Sequence, residues 1–167
     1  MSGLRGIAIF GALSPATVDF LESRAEPAEA AAGEAFFSEG ELGDSLYWIE
    51  RGRVAVERSR GGERVVLAEL GPGECFGEMA LVAIMPRSAT VRALEPSRAL
   101  RLRNAAIHEL FERDAEQFTL LQMNLGREIA RRLRAADDLL FERLAGAAPA
   151  AAGGAPGLGA RRAATVK

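Results

Sequence analysis

The chain has 167 residues and a net charge of −2, with 49% hydrophobic and 26% charged residues. That length and balance describe one globular domain able to bury a core without covalent staples. A single cysteine and a single histidine exclude a disulfide framework, a zinc site and a histidine-rich metal barrel, and the near-neutral charge excludes a chain-wide basic field for nucleic acid. No apolar run is long enough to span a bilayer and no signal-type segment opens the chain, so the cytoplasm is the expected compartment.

Gly6 to Leu13 is apolar but broken by glycine, and is expected to pack on the domain. Ser14-Pro15 reads as an N-cap followed by proline at the first helical position. Val18, Phe20 and Leu21 support a helix over about 14–24. From about 26 to 103 short apolar runs alternate with glycine-bearing turns: Ala35 to Phe37, Leu46 to Ile49, Val54 to Val56, Val65 to Leu67, Thr90 to Ala93 and Ala99 to Leu102. This texture predicts a mainly β fold with flanking α: an antiparallel barrel or jelly roll between an N-terminal helix and C-terminal helices. Gly61-Gly62 is the expected tip of a hairpin. Cys75 reads as a small core residue and His108 as a surface or boundary residue.

Asn104 and Asp114 are the expected N-caps of two helices over about 104–144, with Gln117 completing a capping box on Asp114. The second helix is long, and Leu121, Leu125, Ile129, Leu133, Ala136, Leu140 and Leu144 form an apolar stripe that Leu139 and Phe141 widen. Gly126 within it would allow a close helix approach or a hinge. The domain is thus expected over 1–144. Residues 145–167, rich in Ala, Gly and Pro, read as a disordered low-complexity tail.

The chemistry concentrates in Phe76-Gly77-Glu78-Met79-Ala80-Leu81 and, after a short gap, Pro86-Arg87-Ser88-Ala89-Thr90-Val91. Gly77 permits a close backbone approach, and the amides of Gly77, Glu78 and Met79 are expected to open a helical turn suited to an anion. An ionised Glu78 only accepts hydrogen bonds, which suits a sugar hydroxyl, while Arg87 offers a fork matching phosphate oxygens. A buried carboxylate and a buried guanidinium each need a partner. A ribose joined to a phosphate would serve both, or Glu78 and Arg87 would pair with one another.

These two segments resemble the phosphate-binding cassette of cyclic nucleotide-binding domains, as in catabolite activator proteins and protein kinase A regulatory subunits. The family cassette reads F-G-E-[LM]-A-L, a short variable run, then P-R-x-A-T-V. Gly33, Phe37, Glu39-Gly40, Gly43-Asp44, Leu46-Tyr47, Ile49, Gly52, Leu67, Leu70-Gly71 and Gly73 also fit, so the likeness runs from about Leu13 to Phe141. The resemblance narrows the fold to an antiparallel jelly-roll barrel (a double-stranded β-helix). It also implies that Glu78 binds a ribose 2′-hydroxyl and Arg87 a cyclic phosphate. It implies phosphate-facing donors at Ala80 and Ser88, with Phe76, Gly77, Met79 and Ala89 completing the cassette. It further implies that the long helix closes over the base and pairs with its twin in a homodimer.

Cyclic AMP is the nucleotide the resemblance favours, and cyclic GMP is the alternative. A hydroxyl residue such as Ser88 follows the cassette arginine in many cyclic GMP binders, and in cyclic AMP binders as well. Aligning Ala130-Arg131-Arg132-Leu133 with the family places Ala136 and Asp137 at the base, with Arg132 beside the site. A carboxylate at Asp137 or Asp138 matches the two adjacent donors of guanine. Arg127, Arg131, Arg132 and Arg134 read as a solvated face with a contact to the nucleotide. No recognition helix follows and no acid–base pair is evident, so the expectation is a stand-alone sensor that is neither an enzyme nor a DNA binder and acts on a separate effector protein. A ligand-free interaction module of the same fold is the remaining alternative.

Overall fold

The structure is a computed structural model and describes residues 7–79, 82 and 85–146. The chain divides into two compact units, Met1–Arg132 and Leu133–Lys167. The tail expected over 145–167 lies outside the described residues from position 147 onward.

The first unit opens with a 3-10 turn, Ala8–Phe10, followed by α1, Pro15–Arg24. Ser14 caps α1 as expected, its Oγ accepting from the Thr17 amide at 3.2 Å. Eight strands follow: β1 Glu26–Ala30, β2 Ala35–Phe37, β3 Ser45–Arg51, β4 Val54–Arg60, β5 Glu63–Leu70, β6 Cys75–Phe76, β7 Thr90–Ala93 and β8 Ser97–Arg103. They form two four-stranded antiparallel sheets, ordered β1-β8-β3-β6 and β2-β7-β4-β5. This is a jelly-roll order, one of the two architectures the strand spacing allowed. Gly61 and Gly62, both at positive φ, turn the β4–β5 hairpin at the predicted tip.

Two strands had no sequence signal. β1, Glu-Pro-Ala-Glu-Ala, lacks alternation and forms as an edge strand on β8, where Pro27 is tolerated. β6 is two residues long, yet its pairing of Cys75 with Trp48 and Phe76 with Tyr47 carries the chain into the cassette.

The period of two along β3 builds two cores from one strand. Leu46 and Trp48 face α1 and the later helices, in a cluster with Ile9, Phe10, Leu21, Cys75 and Leu102. Tyr47 and Ile49 face the space between the sheets, with Phe37, Val54, Phe76 and Val91. The N-terminal apolar segment thus packs on the domain as expected.

After β8 the chain enters α2, Asn104–Arg113, and then α3, Ala115–Gly146. Asn104 is the first helical residue and not the cap. The cap is Arg103, without a side-chain bond, and the Asn104 amide already donates to the Asp44 carbonyl at 2.7 Å. Asp114 does cap α3, accepting from the Gln117 amide at 3.0 Å. Gln117 does not close the box. Its Oε1 accepts from the Ser14 amide at 2.7 Å, which ties the start of α3 to the start of α1. Leu121 and Leu125 are fully buried in the helix-side core. A Cβ at Gly126 would meet nothing within 4 Å among the described residues of the single chain.

The second unit is described only in the remainder of α3. Its Leu133, Leu139, Leu140, Phe141 and Leu144 are exposed.

Candidate functional site

The site is built where β6 ends. Phe76 anchors the segment, its ring stacked on Tyr47 at 5.0 Å in the inter-sheet core. The chain then turns at Gly77, with φ of +83°. An added Cβ there would sit 2.7 Å from Arg87 Nη1 and 3.1 Å from the Ser45 carbonyl oxygen, so both backbone conformation and space require glycine. Met79 and Val82 are helical and the Val82 amide donates to the Glu78 carbonyl, so the expected helical turn does start here. Ala80 lies outside the described residues.

Arg87 is held from both its backbone and its side chain. Its amide donates to the Glu41 carbonyl at 2.8 Å, and its carbonyl accepts from the Gly40 amide at 2.9 Å. The guanidinium lies 4.0 Å over the Phe37 ring and 5.8 Å from Tyr47. Nη1 donates to the Gly77 carbonyl at 2.9 Å and Nη2 to Ser45 Oγ at 3.4 Å. Nε is buried and has no hydrogen-bond partner among the described residues. The residue is only 5% exposed, yet among the described residues no carboxylate lies within ion-pair distance of it. Burial pushes its pKa below the ordinary arginine value, partly offset by Tyr47, Asp44, Glu41 and Glu78.

Glu78 is 4% exposed and its partner is not Arg87. Its Oε1 accepts from Arg132 Nη1 at 3.0 Å. Arg132 also donates through Nη2 to the Cys75 carbonyl and through Nε to Glu128 Oε1 at 2.7 Å. The mutual Glu78–Arg87 pair is therefore set aside, and Arg132 is half-buried in the site instead of standing on a solvated face. Burial alone would depress the Arg132 pKa, but Glu78, Cys75 and Glu128 raise it overall. Desolvation, with Glu78 adding to it, pushes the Cys75 thiol up to about 12, which keeps it protonated and unreactive in keeping with its core position.

Of the remaining expected residues, Ser88 is exposed with its hydroxyl 3.6 Å from Met79 Sδ, and Ala89 is buried. Ala136 and Asp137 stand exposed on α3 in the second unit. Sequence reasoning missed Ser45, which gave no local signal, and Glu128, whose spacing of four from Arg132 was visible.

Among the described residues no cluster of His, Cys, Asp and Glu could hold a metal ion, and no helix is long and apolar enough to cross a membrane. His108 is exposed on α2, beside Glu112 and Phe111.

The sequence matches the family profile described as the cyclic nucleotide-binding domain over residues 27–114. It is 37% identical over 135 residues to the cyclic AMP receptor protein of Thermus thermophilus, a match covering 80% of this chain and 61% of that protein. The fold resembles the crystal structure of the Thermus thermophilus catabolite activator protein, with a TM-score of 0.70 and 37% identity over 83% of this chain and 63% of that one. It also resembles the regulatory domain of Toxoplasma gondii PKA crystallised with cAMP, with a TM-score of 0.61 and 26% identity over 64% and 41% of the two chains. The jelly-roll fold of this chain is thus shared with proteins named as a cyclic AMP receptor and a catabolite activator. The chain belongs to the cyclic nucleotide-binding domain family. It spans about 60% of the length of the curated relatives it matches first.

Proposed function

We propose that this domain is a cyclic AMP sensor: Arg87 binds the cyclic phosphate, Glu78 the ribose 2′-hydroxyl, and α3 answers the bound nucleotide. The observation that carries this reading is the Arg87 guanidinium, buried, 4.0 Å over the Phe37 ring, with Nε unpartnered and no carboxylate within ion-pair distance among the described residues. A buried cation without an anion is costly, and a phosphate supplies the missing charge in the bidentate geometry a guanidinium favours. The neighbouring turn after Gly77 offers backbone donors to the same anion, and in this reading Met79, Ala80, Ser88 and Ala89 complete the phosphate cassette. The names of the relatives favour adenine over guanine.

The output in this reading is a change in α3. Nucleotide moves that equilibrium only by its differential affinity for the two arrangements of the helix. A second copy pairs along the exposed stripe, and a separate effector protein reads the change. The domain spans 1–144 and acts as a sensor, without catalysis or direct contact to DNA.

A thermal-shift titration with cyclic AMP, cyclic GMP and 5′-AMP tests this. Binding to the native state alone raises stability by about 2.7 kcal/mol at a hundredfold excess over Kd. A shift with cyclic AMP and none with 5′-AMP supports the reading. A larger shift with cyclic GMP reassigns the base, and no shift with any of the three leaves the cassette a structural element.

A further inference from the structure

We propose that Glu128 is a positioning residue for the nucleotide site, acting through Arg132 on Glu78; this rests on the cyclic AMP reading above. Glu128 lies one helical turn before Arg132 on α3, inside the first unit, and its side chain is only 11% exposed. Its Oε1 accepts from Arg132 Nε at 2.7 Å and from Arg131 Nη2 at 2.7 Å, and its Oε2 from Arg131 Nε at 3.0 Å. Arg131 and burial pull its pKa in opposite directions, and the two arginines together hold it below the usual carboxylate range.

The consequence falls on the Arg132 fork. Nε is taken by Glu128 and Nη2 by the Cys75 carbonyl, which leaves Nη1 for Glu78 Oε1 at 3.0 Å. Three acceptors around one planar group fix its orientation, so a single N–H reaches the Glu78 carboxylate. Freed from Glu128, the guanidinium can turn its Nε edge toward Glu78 and meet it with two N–H groups, the arrangement that arginine and carboxylate favour. Both Glu78 oxygens would then be engaged, in competition with the ribose hydroxyl. Glu128 therefore keeps the carboxylate available to the sugar, and does so from the helix that answers the nucleotide.

The test compares cyclic AMP with 2′-deoxy-cyclic AMP by calorimetry on wild type and Glu128→Gln, at a temperature where circular dichroism shows both folded. The variant should bind cyclic AMP about threefold to tenfold more weakly, in the lower part of the range for coupling within one hydrogen-bond network, and 2′-deoxy-cyclic AMP within about twofold of wild type. In an Arg132→Ala background, Glu128→Gln should add no further loss. Equal weakening toward both nucleotides, no weakening toward either, or an additive loss in the double variant overturns the positioning role alone. A wild-type protein that binds neither nucleotide overturns the sensor reading and this inference with it.

Discussion

Arg132 and Glu78, 54 residues apart in sequence, meet at 3.0 Å and tie α3 to the turn that follows β6. The same arginine reaches the Cys75 carbonyl, so the helix is bonded to both sides of Phe76-Gly77. Any group that competes for Glu78 must alter this contact, which gives a ligand at the cassette a physical means of acting on α3. Arg87 shares no ion pair with that network; its contacts run to Gly77, Ser45 and Phe37. The two charged cassette residues therefore differ in their partners: Glu78 is paired with α3, and Arg87 is not ion-paired to any described residue.

Arg87→Ala should weaken cyclic AMP binding by about 2–5 kcal/mol, the cost of leaving a buried charge unpaired across an interface, which is well over tenfold in Kd. The melting temperature without nucleotide should change little, because the side chain has no ion partner to lose and only one close hydrogen bond. Isothermal calorimetry and a thermal scan check the two halves separately. Wild-type-like affinity would remove Arg87 from the phosphate role.

Gly77→Ala should damage fold and site together. The added methyl falls 2.7 Å from Arg87 Nη1 and 3.1 Å from backbone oxygen of Ser45, at a φ that L residues avoid. A cost of about 1–3 kcal/mol is expected from the backbone strain and displaced neighbours. Gly40→Ala is the control: its φ is also positive, but the new Cβ meets nothing within 4 Å. Urea unfolding of both, with Gly77→Ala the more destabilised and the only one losing nucleotide affinity, is the expected pattern.

What the sequence made legible follows from range. The short apolar run Leu46 to Ile49, the hairpin at Gly61-Gly62 and the Ser14-Pro15 start are local signals, and each element stands where it was expected. β1 was silent because its partner strand begins about seventy residues later and its stability comes from that pairing and from Glu26 with Arg101 and Arg103. Arg132 was grouped with three other arginines on one helix, and only the family resemblance, not a local signal, put it beside the site. Its distinguishing contact, Glu78, lies in another part of the chain. Gln117 carried the correct capping-box spacing but found a better acceptor role against the Ser14 amide, a tertiary contact overriding a local one.

Cys75 gives a pH prediction. Burial raises its pKa from 9.0 to about 12, so the native thiol holds its proton more tightly than the unfolded one. The associated stability is whole below pH 9 and is lost as the pH climbs from there toward about 12, since only the unfolded chain releases the proton in that window. The stability difference between wild type and Cys75→Ala, from urea unfolding, should therefore shrink between pH 8 and pH 10.5. At pH 8 the native thiol should also resist iodoacetamide until urea unfolds the chain. Rapid alkylation of the folded protein would contradict the burial.

The second unit of α3 presents Leu133, Leu140 and Leu144 along one stripe, flanked by Leu139 and Phe141, all exposed in the single chain. Exposed apolar side chains at this density on one helix are seldom left to water, and each leucine buried against a partner contributes about 1.5–3 kcal/mol. A second copy supplies a matching stripe, and a coiled-coil-like seam would bury both. Light scattering after gel filtration should give a dimer mass for the wild type and a monomer mass for Leu140→Glu/Leu144→Glu. The first unit should melt as before, because its own core ends at Leu125. A wild-type monomer at concentrations of tens of micromolar would leave the stripe to a different partner, and the nucleotide signal would then have to leave the domain through a heterologous contact.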